Sequence, residues 1–598
     1  MQQILLAIDD VSLPLRKNTC LYLSKPTVRQ EPVLLPSPTD SDAPDNLAAH
    51  FYGTVLYEEG KFRMWYYACH RGTNPDWSPR KKQQIAKPQD WLLDAKEGYE
   101  FLQGPLCYAE SDDGFTWNKP ALNQLLFKGN RDNNAFDLPH TIVSGAAVIR
   151  DDDDPDPARR YKMIYEFFPD QADPVIEQYG TSPSMACAVS ADGLQWTVTA
   201  LPFVGQFVEH CSFIKHEGQY IVHSQVFPGT QWSAAYTEGG AAGGRTGTAH
   251  ASYDFDNWPD LWQWAFALPE PADPEKRDAH NAYDQVHLGV GAASFGNVCV
   301  GVYGIWHSQA FGEDFGKISC DLGLLVSNDG IRFREPGAMP GQVFIDHDDS
   351  PVTPTSGYAY NTVLCQGNGI LNVGDETRIY HGRWRNVGQK AEDVATHYHA
   401  EVALATLPRD RWGGLGLNPG VEEGAICSAP VVVPQDGAIR INADGVSGLS
   451  IDLLDERFQP LAGFAGGQVA GPDGLDCSVH WTGKSLAELG GQSVRVQVSI
   501  QKTDEALPRV YALYLGASEV GGLNRDRWSL FAGFPWRFPL IVGQYRLGEV
   551  PAYPIPLKHI VRRVIPSDQA RFHLFECIGG RGVIDEIPQL RGVGFEIV

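Results

Sequence analysis

The fold is decided by a short turn, SDDGFTW at residues 111–117, that recurs along the chain. It returns as SADGLQW at residues 190–196 and as SNDGIRF at 327–333, with a degenerate copy, SYDFDNW, at 252–258. The Asp-Gly pair supplies the positive φ angle of a tight hairpin turn, and the Ser and Asp side chains can hydrogen-bond the turn amides. The aromatic residue that ends each copy packs beneath the turn. We therefore interpret the repeat as a structural element that holds β units together, without a part in chemistry.

Around each turn lies a unit made of an apolar strand, a tight turn and a second strand. Helical periodicity is nearly absent, and five such units can be counted. Their first strands contain GTVLY at 53–57, AAVI at 146–149, CSFI at 211–214, GAASFG at 291–296 and GIL at 369–371. Repeated four-stranded units of this kind are typical of a propeller. The sequence therefore predicts a five-bladed β-propeller domain at residues 45–415.

The residue pattern of the sequence changes after Trp412. Short alternating strands separated by Gly and Asp turns follow, which predicts a β-sandwich domain at residues 416–516. The fold class is thus all-β, a five-bladed β-propeller followed by a C-terminal β-sandwich. Residues 1–44 are left as an N-terminal segment and residues 517–598 as a C-terminal extension.

The charge of the chain limits its partners. The 598 residues carry a formal net charge of −25, which repels nucleic-acid phosphates and anionic membrane surfaces. We therefore expect a neutral substrate, with no nucleic acid and no membrane as partners. The N-terminus lacks a cationic signal-peptide region, which favours a cytoplasmic location unless a leader precedes this sequence. The oligomeric state is left open.

Five units, the Ser-x-Asp-Gly-x-x-Trp turns and the appended sandwich together resemble glycoside hydrolase families 32 and 43. The segments DPDPARRYKM at 154–163, ATLPRDRW at 405–412 and SVHWTG at 478–483 resemble a poorly characterised bacterial branch of the same superfamily. The resemblance implies a glycosidase that cleaves a glycosidic bond in an oligosaccharide or glycan, with a role in carbohydrate metabolism or polysaccharide degradation.

Glycoside hydrolysis generally uses two carboxyl groups, one on each side of the scissile bond. In a propeller these begin the innermost strands, and the tight-turn glycine of each blade marks the position. Nine residues before Gly218, Gly296 and Gly374 lie Glu209, His287 and Cys365. Glu209 is the predicted catalytic acid. The run Glu209-His210-Cys211 resembles the Glu-Cys element that carries the acid/base of family 32, with one residue inserted.

The second carboxylate is not fixed by the sequence. Family 32 has its nucleophile in an Asn-Asp-Pro-Asn motif on blade one, whereas this chain reads AAHF at residues 48–51. Asp45, Asp137 and Asp284 precede innermost strands and are the remaining catalytic candidates.

Histidines and aromatic residues occupy the same part of each unit. His50, His140, His210 and His287 each precede or begin an innermost strand, where they could orient sugar hydroxyls, act as a base or bind a metal. Trp65, Trp306 and Arg383 are further substrate-binding candidates. No cofactor is required for two-carboxylate chemistry, although the resemblance to family 43 makes a metal ion at the propeller centre possible.

Two other functions remain open at this point. One is a noncatalytic glycan-binding propeller, in which the altered first-blade motif marks lost chemistry. The other is a metal-dependent carbohydrate lyase or transferase that uses the histidines of the funnel.

Overall fold

The computed structural model describes residues 3–71, 101–140, 143–167, 184–203, 209–226, 245–269, 283–307, 318–338, 340–354, 360–385, 397–435, 437–503 and 507–516. The predicted C-terminal extension at 517–598 lies outside these residues. None of the helices in the described part of the chain is long and apolar enough to cross a membrane.

Strands form nearly all of the regular structure. The first four are β1 (Gln3–Leu6), β2 (Leu15–Lys17), β3 (Thr19–Leu23) and β4 (Thr27–Val28). Blade one contains β5 (Ala48–Glu58), β6 (Lys61–Arg71) and β7 (Phe101–Ser111). Blade two contains β8 (Val143–Arg150), β9 (Tyr161–Phe167), β10 (Ser184–Ser190) and β11 (Thr197–Phe203). Blade three contains β12 (Glu209–His216), β13 (Gln219–Val226), β14 (Thr246–Ser252) and β15 (Gln263–Phe266).

The last two blades share one extended sheet. Blade four contains β16 (Gln285–Ser294), β17 (Cys299–His307), β18 (Ser319–Ser327) and β19 (Val343–Ile345). In blade five, β20 (Thr362–Cys365) and β21 (Ile370–Val373) both pair with β22 (Glu376–Arg385), which pairs with β23 (His399–Pro408). Short 3-10 helices occur at Pro157–Arg159, Pro336–Ala338, Val446–Gly448 and Leu486–Leu489.

The five innermost strands close into a ring. They contact one another in the order β5, β8, β12, β16 and β21, and β21 returns to β5. Apolar side chains from neighbouring blades fill the space between them, such as Trp65 with Val148 and Phe213 with Ile164. The predicted five-bladed propeller is thereby confirmed.

The repeated turn joins each blade to its neighbour. Ser190 and Asp192 hold the amides of their own turn, and Gly193 has a φ of +75°. Arg63 and Trp65 of blade one then donate to the carbonyls of Asp192 and Gly193 in blade two. Blade five binds the turn of blade one and blade three binds the turn of blade four in the same way. The structural role predicted for this repeat follows from these bonds.

The segment between β20 and β21 crosses the axis of the ring. Asn368 exchanges backbone hydrogen bonds with Gly53 and Val55 of blade one, and its side-chain amide bonds both backbone groups of Phe213 in blade three. A Cβ atom at Gly367 would lie 2.6 Å from the carbonyl oxygen of Gly53, so only glycine fits there. The innermost strand of blade five is interrupted because its chain bridges the other blades.

The C-terminal β-sandwich has two halves around one core. One half runs β2, β25 (Glu423–Cys427), β31 (Ser493–Gln501), β28 (Leu449–Leu454) and β29 (Gly467–Val469), with β26 (Val431–Val432) on β31. The other runs β30 (Gly474–His480), β27 (Ile439–Asp444), β32 (Arg509–Leu515), β24 (Gly413–Leu417) and β3, with β1 on β32. Buried and partly exposed residues alternate along β31, as expected for a strand with one face in the core.

The N-terminal segment belongs to both domains. Strands β1, β2 and β3 pair inside the sandwich, whereas β4 pairs with β23 as the outer strand of blade five. After Trp412 the chain enters the sandwich through β24 and cannot supply that outer strand itself. The sequence alone did not connect residues 1–44 with either domain, because pairing across more than 370 positions leaves no local pattern.

Candidate active site

The candidate site lies where the innermost strands begin, which we call the funnel entrance. Near this end β5, β8, β12 and β16 each carry a register shift: between His50 and Thr54, Val143 and Gly145, His210 and Ser212, and His287 and Val290. Such bulges re-aim side chains and are frequent beside active sites. The bulge in β16 contains Leu288 with a φ of +56°, an uncommon angle for a leucine.

Glu209 is the first residue of β12 and keeps part of its surface exposed. The surrounding protein nevertheless desolvates its carboxyl group and raises its pKa to about 6, against the opposing effects of Arg245 and Gln225. A carboxyl group with this pKa is protonated in a useful fraction near neutral pH and can donate a proton. Glu209 thus has the property that a catalytic acid requires.

Gln225 connects Glu209 with the bulge of β16. Its Nε2 donates to Glu209 Oε2 at 2.7 Å, while its Oε1 accepts from the amide of Leu288 at 2.7 Å. Gln366 supports the same bulge from the axis by donating to the carbonyls of His287 and Gly289. Two glutamine side chains therefore satisfy backbone groups that the bulge removes from the strand ladder.

The bulge presents His287 to Tyr52 of blade one. Arg245 Nη1 lies 3.2 Å from His287 Nδ1, and because arginine only donates, Nδ1 accepts and the ring proton is on Nε2. Nε2 lies 3.1 Å from the Tyr52 hydroxyl, which also receives the thiol of Cys365 at 3.0 Å. The Tyr52 hydroxyl thus contacts both the imidazole of His287 and the thiol of Cys365.

Aromatic rings line the same region. Trp306 stacks on His287 with the ring centres 4.5 Å apart, and the Arg245 guanidinium lies 4.8 Å from the centre of the Trp306 ring. Burial, with the charge of Arg245, holds the pKa of His287 well below its usual value, so the ring is neutral. On blade one, His50 stacks on Tyr67 at 4.5 Å and its Nε2 lies 2.6 Å from the Tyr398 hydroxyl. Burial lowers the pKa of His50 to about 3, so this ring is neutral as well.

A second buried carboxylate, missed by the sequence analysis, is Glu166. It is 3% exposed and lies opposite Gly145, at the end of blade two where the innermost strand begins. Burial is the main cause of the raised pKa of Tyr67, and the charge of Glu166 adds to it. Burial and, to a smaller extent, the charge of Glu209 do the same for Tyr52, and these two rings lie 6.0 Å apart. A search of innermost strands alone could not find Glu166, because it belongs to the second strand of its blade.

The three aspartate candidates have surroundings different from those of Glu209 and Glu166. Asp45 is fully buried and accepts from Tyr66 and from Lys119, so it forms an internal ion pair. Asp137 is exposed. Asp284 accepts from His307 Nδ1 at 2.9 Å, and this contact contributes to raising the pKa of His307 to about 9.

The other predicted residues divide between the site and the frame of the propeller. His287 and Trp306 join the group around Arg245, whereas Trp65 lies between blades one and two. Arg383 is 1% exposed and donates to Ser350 and to the carbonyls of Arg29 and Gln30, contacts that give it a structural role. His140 stacks on Phe167 and lies 2.7 Å from the Tyr165 hydroxyl. The His210 side chain lies outside the described residues.

The predicted metal at the propeller centre remains a prediction. Within the described part of the chain, the side chains close enough to share an ion are those of blade four: His307, Asp321 and His347, and also Asp346, His347 and Asp348. The histidines that begin innermost strands do not form such a group there.

The chain is similar to several solved structures. A glycosyl hydrolase from Bacteroides ovatus has 13% identity over 66% of this chain and 95% of that one, with a TM-score of 0.38. The β-1,2-mannobiose phosphorylase of Listeria innocua has 13% identity over 65% and 96%, with a TM-score of 0.38. A family 43 arabinoxylan arabinofuranohydrolase from Bacillus subtilis has 10% identity over 80% and 98%, with a TM-score of 0.31. No protein-family model and no curated protein matches the chain. The described blades and sandwich, rather than these low-scoring likenesses, establish the architecture.

Proposed function

We propose that this protein is a carbohydrate-active enzyme that cleaves a glycosidic bond at the funnel entrance, with Glu209 as the proton donor. The observation that carries the proposal is the state of Glu209, a partly exposed carboxyl group with a pKa raised to about 6. Cleavage of a glycosidic bond requires protonation of the leaving oxygen, and an acid with this pKa meets that need near neutral pH.

Other groups at the entrance complete the proposed site. Glu166 takes the part of the second carboxylate, ahead of Asp45, Asp137 and Asp284, because it is buried near Tyr67 while those three have other surroundings. The Tyr52 hydroxyl, which contacts His287 and Cys365, is suited to contact a sugar hydroxyl. Trp306 is 1% exposed and packs against His287 and Arg245, so it supports these residues. Gln225 positions Glu209 through the hydrogen bond between them.

One observation favours a second candidate reaction at the same site, phosphorolysis. Arg245 contacts both Trp306 and His287, and its charge acts on Glu209. A guanidinium beside the acid is suited to bind inorganic phosphate, which would then attack the sugar in place of water. In that reaction the second carboxylate is not needed, whereas hydrolysis requires it.

The proposal is tested with a panel of aryl glycosides and of manno-, gluco-, xylo- and arabino-oligosaccharides, each incubated with and without inorganic phosphate. We expect release of free sugar for hydrolysis, or of a sugar 1-phosphate only when phosphate is present. Glu166→Gln separates the two reactions, since it is expected to abolish hydrolysis and to spare phosphorolysis. Binding of a sugar without turnover by the wild-type chain would instead support the noncatalytic alternative.

The pH dependence follows from the state of Glu209. Because the acid must be protonated, kcat/KM is expected to be maximal below pH 6 and to fall about tenfold per pH unit above it. The measurement is kcat/KM between pH 4 and 9 on the best substrate of the panel. Glu335→Gln serves as a control, since Glu335 also has a pKa raised by burial but lies beside Tyr303 at the edge of blade four. Activity that rises with pH across this range would contradict the assignment.

A further inference from the structure

A group of imidazoles and carboxylates lies at the rim of blade four, outside the candidate active site. His307 ends β17, Asp321 is near the start of β18, and His347 follows β19. One atom from each of the three side chains lies within 4.8 Å of the others. Three separate segments of the blade thus converge on one point.

The hydrogen bonds at this point require a positive charge on or beside the His307 ring. His307 Nδ1 lies 2.9 Å from Asp284 Oδ1, and His307 Nε2 lies 2.9 Å from Asp321 Oδ2. A neutral imidazole has a hydrogen on only one of its two nitrogens, so it cannot donate a hydrogen bond to both carboxylates. A positive species must therefore lie between Nε2 and Asp321, either a second proton or a cation.

We propose that His307, Asp321 and His347 bind a divalent transition-metal ion of the zinc type. Two imidazole nitrogens and a carboxylate oxygen are a ligand set that zinc prefers, and one that calcium and magnesium do not. Tetrahedral zinc holds such ligand atoms about 3.3 Å apart. His307 Nε2 lies 2.9 Å from Asp321 Oδ2 and His347 Nδ1 lies 2.6 Å from Asp321 Oδ1, both shorter than that spacing. Binding of an ion therefore requires the ligand atoms to move apart by a few tenths of an ångström.

The surroundings of the three residues support the same assignment. Asp284 receives the Nδ1 hydrogen of His307, which directs the Nε2 lone pair at the metal position, as a carboxylate partner does for metal-binding histidines. The amide of His347 donates to Asp321 Oδ1 at 2.8 Å and orients that carboxylate. Asp321 is 6% exposed, while the imidazoles of His307 and His347 are 28% and 24% exposed, so an ion can enter from solvent.

The site would act as a clamp on the rim of blade four. His307 follows Trp306, and Asp284 precedes Gln285, whose side chain accepts from the amide of Arg245. A metal ion at this position would therefore stabilise β17, which contains Trp306, and β16, whose Gln285 binds Arg245. This proposal does not depend on the proposed reaction, because metal binding is measured without any substrate.

The experiment uses the full-length chain after treatment with a chelator, titrated with Zn²⁺ by calorimetry and with Co²⁺ by visible absorption. We expect one equivalent of Zn²⁺ per chain, a rise in Tm, and a Co²⁺ spectrum of low-coordinate geometry. His347→Gln and Asp321→Asn should abolish this binding, and Asp284→Asn should weaken it about 10- to 100-fold.

The control is His480→Gln, which removes an exposed histidine of the sandwich and should leave Zn²⁺ binding unchanged. Circular dichroism is used to check that each variant is folded. If His347→Gln does not fold, Asp284→Asn tests the proposal instead, because it keeps all three ligands. The proposal is overturned if the wild-type chain takes up no saturable Zn²⁺. Equal effects of His347→Gln and His480→Gln would overturn it as well, as would unchanged binding in Asp284→Asn. Two protonated imidazoles would then explain the contacts.

Discussion

Glu209→Gln is expected to lower kcat about 10²- to 10⁴-fold on oligosaccharides, whose leaving groups need a proton. Glutamine keeps the shape of the side chain and can still bond Gln225, so binding of the sugar should change little. On aryl glycosides with strongly acidic phenols the loss should be much smaller, because these phenols leave without protonation. The decline of kcat/KM above pH 6 should disappear with the carboxyl group that causes it.

The measurement compares kcat for an oligosaccharide with kcat for a dinitrophenyl glycoside, in the wild-type chain, in Glu209→Gln and in the control Glu335→Gln. Glu335 also accepts a hydrogen bond from a tyrosine, at 2.6 Å from Tyr303, and its loss should leave both rates within a few-fold. An equal loss of both rates in Glu209→Gln would show that this residue supports the site without donating a proton. Full activity on the oligosaccharide would remove Glu209 from the mechanism.

The blades could be predicted from short stretches of sequence because the interactions that form them are between residues close together in the chain. The Ser-x-Asp-Gly turn satisfies its own amides, and the glycine angle it requires, +77° at Gly114, is visible in the sequence itself. The count back from the tight-turn glycines led to His287 and Cys365, which the structure brings together on the Tyr52 hydroxyl. The count is meaningful because the innermost strands enter the ring from the same end, although their lengths range from 4 residues in β21 to 11 in β5.

The features that the sequence did not predict depend on distant pairing or on a shift in register. Strand β4 completes blade five from the other end of the chain, and Glu166 approaches the entrance from a second strand. Arg383 is a residue type that often contacts substrates, but its guanidinium donates to the carbonyls of Arg29 and Gln30. None of these could be read locally, because each depends on where another part of the chain comes to lie.

The junction of the two domains gives the largest expected effect on stability. Asp410 occupies the turn of blade five that corresponds to the Asp-Gly turns, with a φ of +61°. It is 3% exposed, and its carboxylate accepts from Asn372 of the propeller at 2.7 Å and from Tyr514 of the sandwich at 2.8 Å. Trp412 packs close by in a core to which both domains contribute. One carboxylate therefore joins the two domains.

Asp410→Ala is expected to lower the free energy of unfolding by about 3–5 kcal/mol, since two buried donors lose their acceptor and alanine is strained at a positive φ. Asp410→Asn should cost only about 1–2 kcal/mol, because asparagine tolerates this angle and keeps one acceptor oxygen. Urea unfolding followed by tryptophan fluorescence and by circular dichroism measures both variants. Since the core around Trp412 is shared, propeller and sandwich should unfold in one transition that both probes report. Equal losses for the two variants would show that the hydrogen bonds of Asp410 are not what holds the domains together.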